Sequence, residues 1–258
     1  MQTENVHLIY FSATYTTLRI GREMASVITE NYTEHDITMH ALNEELNLQS
    51  EDLLILAMPV YGGLIPTEAA ERLKSVRGSN TPVILVAVYG NRHYDNALCQ
   101  MRDIAVEQGF QPVSAGAFIA RHSIFTTIAA NRPDSADFDA IRGFALKSAD
   151  IVASHNQFPT FDIPGKPDQV FKKSGLHPTG DESCSSCGTC IELCPMNAIS
   201  LDNPKETNTD LCTACGRCLV VCPNGSRAFR GELFEAWNAR FEANFNTRRE
   251  PEVFYPQY

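Results

Sequence analysis

Two cysteine runs near the carboxyl end of the chain have the spacing of metal ligands. The first run, CSSCGTCIELCP, contains Cys184, Cys187, Cys190 and Cys194. The second run, CTACGRCLVVCP, contains Cys212, Cys215, Cys218 and Cys222. In both runs the gaps are two, two and three residues, and a proline follows the last cysteine. This pattern of thiolates is the ligand run of 4Fe-4S clusters, in which the fourth cysteine ligates the cluster of the other run.

The repeated spacing predicts two clusters with crossed ligand sets. One cluster is assigned to Cys184, Cys187, Cys190 and Cys222. The second cluster is assigned to Cys212, Cys215, Cys218 and Cys194. Gly188 and Gly216 let the backbone approach the inorganic sulfurs. Structural zinc is the alternative, because zinc also binds CxxC pairs, but it has no need of the third cysteine or the following proline.

Composition and charge restrict the class of protein. The chain has 258 residues, of which 43% are hydrophobic and 20% charged, the balance of a globular protein with a sizeable core. A formal net charge of −10 argues against nucleic acid or an anionic membrane surface as a partner. No segment has the pattern of a signal peptide or the run of about 18 apolar residues that a membrane span needs. We therefore expect a cytoplasmic protein, where reduced thiols serve as metal ligands.

The elements that would position further chemistry lie in the first part of the chain. Five apolar segments predict strands: VHLIYF, DITMHAL, DLLILAMPV, PVILVAVYG and PVSAGAFIA. Between them, apolar residues recur at helical spacing. This alternation predicts an α/β fold with a doubly wound, five-stranded parallel sheet. Ligands of such sheets bind beyond the carboxyl ends of the strands, where SATYTT, VYGGLIP and YGNRHYD are expected.

The organisation of the chain follows from the change in pattern along it. We predict an α/β domain at 1–155, a linker rich in proline and glycine at 156–180, a small cluster-binding α+β domain at 181–226 and a helical tail at 227–258. The tail carries apolar residues at helical spacing, namely Leu233, Phe234, Trp237, Phe241 and Phe245. We expect this helix to dock on one of the domains; a partner-binding helix is the alternative.

Two parts of the sequence resemble known families. Residues 181–226 resemble a bacterial-type two-cluster ferredoxin. FSATYTT is similar to the flavodoxin phosphate loop, whose usual form is Ser/Thr-x-Thr-Gly-Asn/Thr-Thr, and MPVYGGLIP and VYGNRHYDNAL are similar to the two loops beside the flavin ring. Together these features resemble the flavodoxin–ferredoxin fusion proteins of anaerobic bacteria and archaea, also called EFR-type ferrodoxins, over nearly the whole chain.

The resemblance implies a bound flavin mononucleotide (FMN). Its phosphate would be held by Ser12, Thr14, Thr16 and Thr17, at a helix N-terminus that suits an anion, and Tyr15 of the same loop would line the cofactor site. The ring-side contacts would come from Pro59, Tyr61, Gly62, Gly63, Tyr89, Gly90, Asn91 and Tyr94. Tyr15 departs from the family, which has glycine at this position, and a positive φ there would cost about 1–2 kcal/mol. A simple Ser/Thr helix cap is the alternative interpretation of the loop.

Three functions are compatible with this sequence. The leading hypothesis is electron transfer between two 4Fe-4S clusters and FMN, without a catalytic side chain; whether the protein is also an enzyme is left open. The second is an FMN-dependent oxidoreductase acting on a small substrate in a pocket lined by Tyr15, His93 and His122. The third is a flavin-free binding module joined to a ferredoxin, which Tyr15 favours. Expected partners are a redox protein or a small-molecule acceptor, and a homodimer is compatible with the sequence.

Overall fold

The computed structural model describes residues 3–166, 170 and 173–258. The strands are, in chain order, β1 (Val6–Tyr10), β2 (Thr33–Asp36), β3 (Leu46–Leu48), β4 (Leu53–Pro59), β5 (Val76–Gly78), β6 (Thr81–Tyr89), β7 (Phe110–Ile119), β8 (Pro178–Thr179), β9 (Ala228–Phe229) and β10 (Glu252–Phe254). The helices are α1 (Thr16–Ile28), α2 (Thr67–Arg72), α3 (Ala97–Glu107), α4 (Ser135–Ser154), α5 (Thr189–Glu192), α6 (Arg217–Val220) and α7 (Glu232–Phe245).

The described residues form a six-stranded main sheet in the order β10-β7-β6-β4-β1-β2. The five strands from β2 to β7 in this order pair in parallel, which is the flavodoxin-like doubly wound arrangement. The predicted α/β fold class is thereby confirmed. The sequence did not predict β10, which adds an antiparallel edge by pairing Val253 with Gly116 of β7.

The second strand was predicted in the wrong place. The segment at 36–42 was expected to form it, whereas β2 spans Thr33–Asp36. This strand lies at the edge of the sheet and its side chains are exposed or half-buried, so it carries no apolar signal. Ile37, which suggested a strand, is fully buried just after β2 ends.

The central strands are covered on both faces, which explains their continuous apolar runs. Every residue of β4 and β6 is buried. One apolar cluster joins the sheet to α1 and α4, and another joins its opposite face to α2 and α3. Gly21 brings α1 close to β1, because a Cβ atom there would lie 2.8 Å from Leu8 Cδ1.

The cysteine-rich region and α7 pack beside the carboxyl edge of the main sheet. β8 and β9 form an antiparallel pair that joins the two sides of this region. The predicted linker at 156–180 includes residues 167–169 and 171–172, which lie outside the described residues. From α7, Phe234, Trp237, Phe241 and Phe245 contact an apolar cluster that includes Phe125 and Ala214. The helix is therefore docked on the rest of the chain. None of the described helices is long and apolar enough to cross a membrane.

Candidate functional site

Each predicted cysteine set lines a cavity of its own. The first cavity is lined by Cys184, Cys187, Cys190 and Cys222. The second cavity is lined by Cys194, Cys212, Cys215 and Cys218. The last cysteine of each run therefore lies with the first three of the other run, as the crossed assignment predicts. In the described part of the chain, no group of three or more His, Cys, Asp or Glu side chains has the geometry to hold a single metal ion.

Two glycines shape the cysteine runs locally. Gly188 and Gly216 precede α5 and α6 with φ values of 81° and 79°, a left-handed conformation that glycine adopts without strain. The turn allows the third cysteine of each run to stand on a short helix. At Gly216 a Cβ atom would lie 3.0 Å from the carbonyl oxygen of Ser123, so glycine also permits close contact with the loop after β7.

Backbone amides point at several of the sulfur atoms. The amide of Ala198 donates to Cys194 Sγ at 3.3 Å, and that of Ala214 donates to Cys212 Sγ at 3.4 Å. Donors of this kind stabilise the thiolate form that binds iron, and they help to set the reduction potential of a bound cluster. The second cavity thus contains four predicted ligands, two of which accept hydrogen bonds from backbone amides.

The two cavities differ in their electrostatic environment. Burial raises the pKa of Cys215 to about 12 and that of Cys218 to about 11. Burial acts in the same direction on Cys222, but hydrogen bonds from the Ser226 hydroxyl and nearby backbone amides outweigh it and lower its pKa to about 7. Cys187 is exposed, whereas Cys215 is buried. The first cavity therefore faces solvent and the second lies inside the protein.

A larger cavity of about 470 Å³ lies at the carboxyl edge of the main sheet. The predicted ring-side loops contribute Tyr61, Gly62, Gly63, Tyr89 and Gly90 to its wall. The facing wall includes Thr213, Ala214, Trp237, Phe241 and Phe245. The hydroxyl of Tyr89 is buried without a hydrogen-bond partner among the described residues. The volume and aromatic lining fit a flavin ring.

The same cavity is lined by basic side chains. Arg92, His93, Lys173 and Arg240 reach it, and no carboxylate lines it in the part of the chain that the structure describes. This contrasts with the net negative charge of the whole chain. The lining therefore suits an anionic ligand.

His122 also lines the large cavity, and its ring is neutral. Burial, followed by repulsion from Arg92, lowers its pKa to about 4. Its Nδ1 accepts hydrogen bonds from the amides of Ile124 at 3.1 Å and Phe125 at 3.2 Å. The proton of the neutral ring is therefore on Nε2, which can act as a donor.

The predicted phosphate loop forms the start of α1. Ser12 Oγ accepts a hydrogen bond from the amide of Leu18 at 3.0 Å, and the hydroxyls of Thr14 and Thr16 lie 3.3 Å apart. Tyr15 has a φ of 65°, so it adopts the left-handed conformation for which the resembled family uses glycine. Ser12 thus satisfies one amide in the first turn of α1, whose N-cap residue is Tyr15. Among the described residues that line the large cavity, none comes from this loop.

A side chain from the second cysteine run enters the phosphate loop. Arg217 Nη1 donates to the carbonyl oxygens of Ser12 at 3.4 Å and Ala13 at 3.2 Å. Its guanidinium carbon lies 4.5 Å from the centre of the Tyr15 ring. The phosphate loop and the second cysteine run are therefore in direct contact.

Three of the predicted ring-side residues are also absent from the lining of the large cavity. Pro59 is buried at the end of β4. The Asn91 amide donates to the carbonyl oxygens of Phe245 and Thr247 at 2.6 and 2.9 Å, and the Tyr94 hydroxyl donates to Glu252 at 2.8 Å. Asn91 and Tyr94 thus connect the loop after β6 to the C-terminal segment. Their role as cofactor contacts remains a prediction.

The site also contains residues that the sequence did not indicate. Trp237 and Arg240 line the large cavity from α7, although the helical spacing alone predicted only a docked helix. Arg217 lies between two predicted cysteine ligands, but nothing in its sequence context points to Ser12, which is 205 residues away. These residues could be found only from the contact between the two parts of the chain, which the sequence pattern does not show.

The cysteine-rich region matches a known family of iron-sulfur domains. Residues 183–226 match the family described as a 4Fe-4S dicluster domain. A comparison with curated proteins found no match. The chain combines a flavodoxin-like sheet with this 4Fe-4S segment, which matches the arrangement of a flavodoxin–ferredoxin fusion.

Several solved structures are similar to part of the chain. Flavodoxin 2 from Bacillus cereus is 16% identical with a TM-score of 0.43, and the similarity covers 57% of this chain and 98% of that protein. The flavodoxin of Streptococcus pneumoniae TIGR4 is 15% identical with a TM-score of 0.38, covering 58% and 97%. Rubredoxin oxygen:oxidoreductase from Desulfovibrio gigas is 15% identical with a TM-score of 0.42, and the similarity covers 59% of this chain but 37% of that one.

Proposed function

We propose that this protein transfers electrons between two 4Fe-4S clusters and an FMN at the carboxyl edge of its main sheet. A flavodoxin-like fold joined to a 4Fe-4S segment supports an electron-transfer or oxidoreductase role. One observation carries the finer proposal: Thr213 lines both the second cysteine cavity and the large cavity. The two candidate cofactor sites are therefore neighbours, and a short separation favours electron transfer between them.

The cysteine cavities provide a route from the surface to the interior. Cys187 of the first set is exposed, so an external redox partner can approach that end. The second set lies deeper, and Cys215 belongs to the same apolar cluster as Phe11 of the sheet domain. Tyr61, from a predicted ring-side loop, packs against that cluster. Electrons from an external partner would therefore pass from the first cysteine cavity to the second and then to the large cavity.

The residues around the large cavity bind the ring and exclude water. When bound, FMN supplies one- or two-electron chemistry and the clusters supply one-electron chemistry. Tyr61 and Tyr89 offer aromatic surface, while Gly62 and Gly63 adopt positive φ values of 59° and 90° that let backbone approach a ligand. Trp237 from α7 helps to cover the opposite side.

The proposal is tested by the cofactor content of protein purified without air. We expect about eight iron atoms, about eight sulfides and one FMN per chain after reconstitution, by the stoichiometry of two such clusters. Iron and sulfide without any binding of added FMN would favour the flavin-free module. Zinc in place of iron would refute electron transfer altogether.

An FMN-dependent oxidoreductase acting on a small anion is the second candidate. The basic lining of the large cavity and the neutral His122, with its proton on Nε2, favour it. Tyr15, which the sequence placed in this pocket, lies outside the lining residues, whereas His93 and His122 belong to them. Incubation of the reduced protein with a panel of small carboxylates and oxyanions tests this candidate. Turnover of one of them would support an enzyme, and reaction with redox proteins alone would support a carrier.

A further inference from the structure

Arg217 connects two sites that lie far apart in the sequence. It stands between the predicted cluster ligands Cys215 and Cys218, and it also lines the second cysteine cavity. Its guanidinium nevertheless reaches the loop at the N-terminus of α1, where Nη1 donates to the carbonyl oxygens of Ser12 and Ala13. The residue is 8% exposed, so this cation is buried between the two parts of the chain.

The contacts of Arg217 within the protein leave its bonding incomplete. Its Nε atom is buried and has no hydrogen-bond partner in the part of the chain that the structure describes. The partners of Nη1 are neutral carbonyl oxygens, which do not balance its charge. A buried guanidinium is stable when an anion lies beside it, because the anion compensates for lost hydration. Two anions could supply this compensation: the cluster predicted in the second cysteine cavity, which Arg217 lines, or a phosphate at the loop whose carbonyl oxygens Nη1 contacts.

We infer that Arg217 supplies the positive charge that binds the phosphate of FMN. The inference rests on the proposed function. The loop at 12–17 contains no lysine or arginine, although the N-terminus of α1 and the hydroxyls of Thr14 and Thr16 suit a phosphate. Arg217 adds the missing charge from the cysteine side. The flavin site is then completed only when the second cysteine run is folded against the sheet domain.

Tyr15 has a defined part in this arrangement. The Arg217 guanidinium carbon lies 4.5 Å from the centre of its ring, a distance typical of a cation–π contact. The aromatic surface holds the planar guanidinium at the loop. This role accounts for a tyrosine in a left-handed conformation that the resembled family gives to glycine.

Binding of FMN and of riboflavin, which lacks the phosphate, tests the inference. Both dissociation constants are measured by fluorescence quenching, without air, in cluster-loaded wild type, Arg217→Gln and Arg217→Lys. We expect Arg217→Gln to weaken FMN about 10- to 100-fold, the range for a charge-assisted hydrogen bond, and to leave riboflavin within about twofold. Arg217→Lys should restore part of the preference for FMN. An unchanged ratio of the two constants in Arg217→Gln would overturn the inference.

Two further variants locate the effect. Arg19→Gln removes an exposed charge from the first turns of α1 and should leave the preference for FMN over riboflavin at its wild-type value. If Arg240→Gln lowers this preference and Arg217→Gln does not, the phosphate lies in the large cavity and the inference is wrong. A wild type that binds neither FMN nor riboflavin would instead refute the proposed function.

A second variant tests the inference if the substitution of Arg217 disrupts the neighbouring cluster, so iron content is measured in every variant. If Arg217→Gln loses iron, the inference is tested with Tyr15→Leu, which removes the ring that contacts the guanidinium. Tyr15→Phe, which keeps the ring, is the control. A lower FMN preference in Tyr15→Leu alone would support the inference, and equal preference in both variants would overturn it.

Discussion

The neutral His122 makes stability depend on pH in a calculable way. Its pKa in the folded protein is lowered to about 4 by burial and by the nearby Arg92, against about 6.5 in an unfolded chain. Between these values the unfolded state binds a proton that the folded state does not. The contribution is therefore fully present above about pH 6.5 and is lost as the pH falls toward 4. The loss amounts to about 2 kcal/mol between pH 7.5 and pH 5.

The variant His122→Asn tests this account. Asparagine keeps an acceptor for the amides of Ile124 and Phe125 but does not titrate. Between pH 7.5 and pH 5, we expect the melting temperature of the wild type to fall by about 4–8 °C more than that of the variant. The measurement uses cluster-loaded protein without air and at one scan rate. Equal decreases in the two proteins would refute the claim that folding holds His122 neutral.

Two other predictions concern the cysteine sets and a buried ion pair. If the ligand sets are crossed, adding Cys222→Ala to Cys187→Ala removes no further iron, because both cysteines then hold the same cluster. Adding Cys194→Ala to Cys187→Ala instead removes nearly all of the iron, because it affects the second cluster. The opposite result in iron analysis would show that each run holds its own cluster. Asp137→Asn should lower the free energy of unfolding by about 3–5 kcal/mol, because it breaks a buried pair with Arg132. Denaturation that shows a loss below about 1 kcal/mol would contradict the second prediction.

Local patterns predicted the elements whose burial is uniform. The all-apolar runs of β4 and β6 are visible in the sequence because these strands are covered on both faces. The edge strand β2 was misplaced since exposure removes the apolar signal on which the prediction depends. The three-residue β10 is stabilised by its pairing with β7, a partner more than 100 residues away. Such pairing leaves no periodic trace in a short segment.

The candidate site shows the same division. Cysteine spacing predicted which four cysteines line each of the two small cavities, because iron-sulfur chemistry demands ligand positions that recur locally along the chain. Two of the three short motifs that resemble flavodoxin loops contribute to the large cavity, and five of the thirteen predicted cofactor residues line it. The sequence by itself thus indicated the chemistry of each separate part, as far as local spacing encodes it.

Tertiary structure decided how those parts meet. Arg217 and Ser12 are 205 residues apart, and their contact exists because the second cysteine run packs on the carboxyl edge of the sheet. Thr213 lines both the second cysteine cavity and the large cavity for the same reason. Docking depends on the complementary shape and charge of two folded surfaces, and the spacing of residues within either surface does not record it.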